Sequence, residues 1–271
     1  GRAADWVEFE FCDARKSICP QWHIEPTRLP IKLGNRVQSY RIGFCDVASP
    51  TNERSLVAAL IPPNCVCGHK VPTITFDAGF DWAYLLWLGV ADSFTMDFIA
   101  RKKVSLSMTY TILDSLPFPR VLVPDDPSVR RIVELALRLT CTSAEMNSYW
   151  NLIAGLGMFE SIQAIEVGGS PPGLVLESER CMALAEIEAL VARSLYGLTR
   201  EELAYVLDAF PIVRRKDETA YGEYRTKRVI LEIYDEMAEA ERTGIPYQTR
   251  LDPPPADPRV AHSAKLEPRS T

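Results

Sequence analysis

Short stretches in the first third of the chain alternate between apolar and polar residues. Tyr40, Ile42 and Phe44 alternate with charged or small residues, which is the period of a half-buried strand. Residues 55–61, SLVAALI, and 70–76, KVPTITF, are two further runs that favour strands, and the SPTNE segment before the first of them predicts a turn. The pattern therefore predicts three short strands joined by turns.

A strongly apolar stretch follows these strands. Residues 82–91, WAYLLWLGVA, are about half of the ~20 residues that a membrane span needs. They are bounded by Asp81 and Asp92, so we predict a buried helix from about Phe80 to Lys103 and no membrane segment.

Helical periodicity dominates the second half of the chain. Residues 127–140, 178–197 and 221–241 each place apolar residues three and four positions apart. A Pro-rich segment, DPPPADP, begins a polar tail that we expect to be extended. The predicted fold class is α+β: a mixed part with a long internal helix over residues 1–124, a mainly helical part over 125–245, and an extended tail over 246–271.

Composition limits the class of protein. The 271 residues are 47% hydrophobic and 24% charged, which is enough for a sizeable core in one or two domains. Seven cysteines at irregular spacings do not make a secreted disulfide framework and favour a reducing compartment, so we expect a cytoplasmic protein. The chain starts at Gly1 with no signal peptide, and we expect it to be a piece of a longer polypeptide.

One segment, CVCGH from Cys65 to His69, raises the question of metal binding or catalysis. Zinc sites normally add a second ligand pair to such a cysteine pair, and only His23 and His262 remain as other histidines, so we predict no metal site. A self-contained hydrolase built on Asp46, Cys67 and His69 stays open as an alternative, although the sequence supplies no orienting acid near the Cys/His pair.

Three basic clusters stand out in a chain whose net charge is −6. Cations at a helix end can complement the helix dipole or pair with an acid one turn earlier, as Asp97 could with Arg101. They can also contact phosphates, with nearby Ser, Thr and Asn side chains contacting base edges. Because the net charge of the chain is negative, any positive potential that attracts DNA must be local to these clusters. The candidate DNA-binding residues are Thr51, Asn52, Arg54, Arg101, Lys102, Lys103, Ser105, Ser107, Thr109, Arg214, Arg215, Lys216, Arg225 and Lys227.

Two long segments carry a resemblance to a known family. Residues 40–72, YRIGFCDVASPTNERSLVAALIPPNCVCGHKVP, and 92–120, DSFTMDFIARKKVSLSMTYTILDSLPFPR, resemble the C-terminal target-recognition region of bacterial adenine-specific DNA methyltransferases of restriction and phage-defence systems. Residues 196–235, with the DPPPADP that follows, are similar to the segment that closes such proteins. Asp92 and Thr109 stand where such sequences would be expected to carry asparagine.

This resemblance implies a fragment that recognises a sequence in double-stranded DNA and contains no catalytic residue. The methyl donor, S-adenosylmethionine, would bind a catalytic domain N-terminal to the fragment, and the family includes polypeptides in which an endonuclease is fused to the methyltransferase. The family's Asp/Asn/Ser-Pro-Pro-aromatic motif is missing, because SPPG at Ser170 and DPPP at Asp252 lack the aromatic residue. We therefore expect no cofactor in the chain itself. A helical module that binds another protein of a defence complex, without touching DNA, stays open as a further alternative.

Overall fold

Ten helices and a small sheet make up the part of the chain that the computed structural model describes, residues 10–20, 22–119, 124–159 and 161–250. The order of elements is α1 (Ile31–Val37), β1 (Arg41–Phe44), β2 (Ala58–Ile61), β3 (Thr73–Ile74), α2 (Asp81–Ala91), α3 (Phe94–Lys103), α4 (Tyr110–Asp114), α5 (Pro127–Thr140), α6 (Asn147–Gly155), α7 (Glu177–Leu190), α8 (Arg200–Asp208), α9 (Pro211–Tyr221) and α10 (Arg225–Thr243). This is an α+β fold that is mainly helical, which confirms the predicted fold class at that level.

The sheet has three antiparallel strands with β1 in the centre, between β2 and β3. Ile42 lies opposite Leu60 on one side and Ile74 on the other. Ile42 and Phe44 are fully buried, because their face of the sheet packs on the helices. The three predicted strands are confirmed, at shorter bounds than the apolar runs suggested.

The predicted single helix from Phe80 to Lys103 is wrong. Two helices, α2 and α3, occupy this stretch and meet at an angle of 73°. Ser93 begins α3 by accepting a hydrogen bond from the Met96 N–H at 3.0 Å. The new helix end is satisfied from elsewhere in the chain, since the buried Glu188 carboxylate accepts hydrogen bonds from the N–H groups of Phe94 and Thr95.

The apolar helix α2 lies inside the protein. Nine of its eleven residues are buried, and its main neighbours are α5 and β2. Within the described residues, no single helix is long and apolar enough to cross a membrane; α2 and α3 reach that threshold only when the bent pair is counted together.

The helical half is built around α5, α7 and α10. Helix α7 packs against both of the others, and α5 also packs against α2. One continuous cluster of buried side chains runs from Ile42 in β1 to Met237 in α10. The predicted boundary between residues 124 and 125 stays a prediction, and residues 251–271 of the predicted tail lie outside the described residues.

Candidate nucleic-acid interface

Backbone pairing brings two of the predicted polar segments together. The Ala48 N–H donates to the Leu106 carbonyl at 3.2 Å, and the Met108 N–H donates to the Asp46 carbonyl at 2.7 Å. Between these bonds, Val47 and Ser107 form an isolated antiparallel bridge. The turn that follows Ala48 therefore lies beside the Ser/Thr strip of residues 105–109, although the two segments are far apart in sequence.

The turn is held by its own side chains. The Ser49 and Thr51 hydroxyls lie 2.8 Å apart, and the Asn52 N–H donates to the Ser49 carbonyl at 3.2 Å. The side chains of Thr51 and Asn52 are exposed. A turn fixed in this way can present two polar groups to a ligand without first being ordered.

The strip is anchored by buried residues on both sides. Val104 and Met108 are buried, whereas Ser105 is exposed and Ser107 is partly exposed. Thr109 begins α4, and its hydroxyl accepts a hydrogen bond from the Ile112 N–H at 3.3 Å. One hydroxyl of the strip is therefore already used as a helix cap.

Lys102 and Lys103 stand at the exposed C-terminal end of α3, directly before the strip. The Lys102 ammonium lies 5.2 Å from the centre of the Phe98 ring, and Lys103 donates to the carbonyl and the hydroxyl of Ser115 at 3.3 and 3.2 Å. Neither lysine forms an ion pair within the described part of the chain, so both ammonium groups are available to bind an anion. The turn–strip surface, as named below, comprises Thr51, Asn52, Lys102, Lys103, Ser105, Ser107 and Thr109.

Arg54 and Arg101 are instead directed toward a buried carboxylate. The fully buried Asp97 carboxylate lies 2.8 Å from the Arg101 guanidinium and 3.9 Å from that of Arg54. Arg101 also donates to the carbonyls of Glu53 and Ala209, and its guanidinium carbon is 4.0 Å from the Phe210 ring centre. We leave both arginines out of the candidate interface, because both share the buried Asp97 carboxylate and the Arg101 side chain has little contact with solvent.

Arg54 has a structural role at the bend between α2 and α3. Its guanidinium donates to the carbonyls of Asp92 and Ser93, at the end of α2, and lies 4.5 Å from the Phe94 ring centre. Asp97 in turn accepts hydrogen bonds from the N–H groups of Ser55 and Leu56, both at 2.7 Å. The carboxylate thus connects α3 to the chain entering β2.

The two predicted basic clusters on α9 and α10, taken together here as the α9–α10 basic cluster, are largely neutralised. Three of its cations face carboxylates: Arg214 with Glu218 at 2.7 Å, Lys216 with Glu53, and Lys227 with Asp208 at 2.7 Å. Arg225 stacks over Tyr221 with its guanidinium 4.7 Å from the ring centre, and Arg215 is exposed. The cluster therefore does not present the concentrated positive charge that the sequence suggested.

The three residues of the alternative hydrolase site have other polar neighbours in the structure. Asp46 pairs with Lys70 at 2.7 Å, while Cys67 and His69 line a small cavity beside Arg36 and Arg41. Across the described ranges, no group of three or more His, Cys, Asp or Glu side chains is arranged to hold a metal ion.

A wide groove of about 800 Å³ separates β2 from α7, α9 and α10. Asp92 lines this groove and is exposed. Loss of hydration there raises the pKa of Asp92 to about 6, against the opposing effect of Arg54 and Arg180.

Compared with known protein families, curated proteins and solved structures, the chain gives no match.

Proposed function

We propose that this chain is the DNA sequence-recognition fragment of a larger adenine-specific DNA methyltransferase of a restriction-modification system. The observation that carries the proposal is the turn–strip surface. In it, two polar segments that are distant in sequence, the turn after Ala48 and the strip of residues 105–109, are hydrogen-bonded to each other beside two lysines. The resemblance of residues 40–72 and 92–120 to target-recognition regions supports the same function.

The two kinds of side chain on this surface have different roles in the proposal. Lys102 and Lys103 contact backbone phosphates, which position a protein on double-stranded DNA without reading its sequence. Ser105, Ser107 and Asn52 contact base edges, because hydroxyl and amide groups can donate to or accept from the bases. The rigid pairing of turn and strip fixes the distance between these groups.

The chemistry belongs to another part of the enzyme. In the proposal, S-adenosylmethionine binds a catalytic domain N-terminal to this chain, and the target adenine is flipped into that domain in the cytoplasm. In the proposal, this fragment selects the DNA sequence at which the adenine is methylated. Its own residues carry out no bond-breaking step.

The experiment is to measure duplex affinity against salt for this chain and for the double variant Lys102→Ala/Lys103→Ala. Each lost phosphate contact lowers the slope of log affinity against log salt by about 0.9, so the double variant should lose about 2 units of slope. The loss should be equal on all duplex sequences. The double variant Lys32→Ala/Arg242→Ala removes the same charge from exposed positions on α1 and α10 and should bind like the wild type.

A loss confined to one duplex sequence would show that these lysines read bases rather than phosphates. Absence of salt-dependent binding in the wild type would contradict the proposal. It would favour the second candidate, a helical module that binds another protein. One observation favours that candidate: the cations of α9 and α10 are mostly paired with carboxylates, so this face offers no broad positive field to DNA.

A further inference from the structure

A second cavity, of about 330 Å³, lies between the end of α1, the loop that follows β2, and the start of α4. Its walls include Arg36 and Arg41, the Cys67 and His69 side chains of the CVCGH segment, and Tyr110. None of these residues belongs to the turn–strip surface, although Tyr110 directly follows Thr109.

Arg41 is a buried cation without a counter-ion among the described residues. It is 2% exposed, and its two terminal nitrogens donate to the carbonyls of Arg36, at 2.7 Å, and Cys65. Its Nε is buried and has no hydrogen-bond partner. Carbonyl groups satisfy the donors of a guanidinium but leave its net charge uncompensated, and a buried uncompensated charge is costly.

Among the described residues, no carboxylate contributes to the shift in the pKa of Arg41. Burial lowers its pKa, the neighbouring Arg36 lowers it further, and only two thiols and Tyr84 act in the other direction. Arginine nevertheless keeps its proton under all ordinary conditions. The positive charge therefore stays in the wall of the cavity.

Arg36 places a second cation at the same cavity. It is exposed, its guanidinium donates to the Thr73 carbonyl, and it too forms no ion pair within the described residues. Two arginines that form no ion pair among the described residues, one of them buried, therefore line the same cavity.

The rim adds two further polar side chains, Tyr110 and His69. The backbone of Thr73 holds the Tyr110 hydroxyl in place. The hydroxyl accepts a hydrogen bond from the Thr73 N–H at 3.1 Å and donates one to the Thr73 carbonyl at 3.0 Å. His69 lines the opposite loop and is exposed.

We propose that this cavity binds a phosphoryl group, with Arg36 as its direct partner and Arg41 as the fixed charge beneath it. Guanidinium groups match the oxygen geometry of phosphate, and the cavity is larger than one carboxylate needs. The phosphoryl group comes either from the DNA backbone next to Thr109 or from a small phosphorylated molecule. Only the first source rests on the function proposed above.

Thiol modification tests this proposal, because Cys65 and Cys67 line the cavity whereas Cys19 is exposed elsewhere. Modification by iodoacetamide is followed by mass spectrometry with millimolar inorganic phosphate, with a duplex, or with chloride at equal ionic strength. We expect phosphate or the duplex to slow modification of Cys67 several-fold and to leave Cys19 unchanged.

The variant Arg36→Gln should lose this protection, while Lys32→Gln, an exposed cation on the same helix, should keep it. Arg36 is exposed, so its replacement leaves the core intact. Protection by neither phosphate nor the duplex, or protection that persists in Arg36→Gln, overturns the proposal. Protection by phosphate but not by the duplex supports the phosphoryl-binding proposal and identifies a small phosphorylated molecule as the ligand. DNA recognition is then tested separately by the Lys102 and Lys103 variants.

Discussion

The buried carboxylate of Asp97 offers the sharpest test of how the fold uses Arg54 and Arg101. In the variant Asp97→Asn, the side chain keeps its shape and one oxygen that can still accept from the N–H groups of Ser55 and Leu56. The negative charge between the two guanidinium groups is lost. The variant thus separates the charge from the hydrogen bonds.

The expected loss of unfolding free energy follows from burial. Removing one partner of a buried ion pair costs about 3–5 kcal/mol, because the other charge stays in the interior without compensation. The Arg101 side chain is 9% exposed and that of Arg54 is 22% exposed, so some solvent still reaches both cations. We therefore expect a loss near the lower limit, about 3 kcal/mol.

Urea unfolding followed by circular dichroism measures this loss. The control is Asp235→Asn, which breaks the half-exposed pair with Arg200 and should cost less than about 1 kcal/mol. Adding Arg101→Met to Asp97→Asn should recover part of the lost stability, because it removes one of the uncompensated charges. A loss in Asp97→Asn no larger than in the control would refute the structural role of Arg101.

Two further predictions concern pH and the methyl donor. The pKa of Asp92 is raised from 3.8 to about 6, so the folded state binds this proton more tightly than the unfolded chain does. The stability that the bound proton contributes is therefore complete below pH 3.8 and is lost as the pH rises to about 6. Urea midpoints measured across this range should show that loss in the wild type and a smaller one in Asp92→Asn; equal profiles would contradict the raised pKa. Calorimetric titration of this chain with S-adenosylmethionine should be flat, because the sequence carries neither the Pro-Pro-aromatic motif nor a glycine-rich donor-binding segment, and saturable micromolar binding would contradict the fragment interpretation.

The elements of this fold could be predicted from sequence where one segment determines its own structure. Periodicity identified β1 from Tyr40, Ile42 and Phe44, and α10 from its apolar positions, because each segment must bury one face. The bend between α2 and α3 could not be predicted in this way. Its partners, Arg54 and Glu188, lie far away in the sequence, and the apolar pattern continues across the break.

The candidate site was predictable in its residue types but not in its arrangement. The sequence shows Lys102, Lys103 and the strip as neighbours, yet nothing in either segment indicates that Leu106 accepts a hydrogen bond from Ala48. Charge pairing has the same limitation. Lys216 belongs to a basic cluster in the sequence, and its partner Glu53 becomes visible only when the chain has folded.

The central claim is that this chain determines which DNA sequence is methylated. The most direct measurement is to sequence methylated adenines in cells that carry the complete methyltransferase with Asn52→Ala, Ser105→Ala or Ser107→Ala. Thr219→Ala and Asn35→Ala remove the same groups from exposed positions on α9 and α1 and serve as controls. The account predicts a relaxed or shifted methylated site in the first set at an unchanged folded fraction, and the original site in the controls. An unaltered site with full activity in all three variants would contradict it.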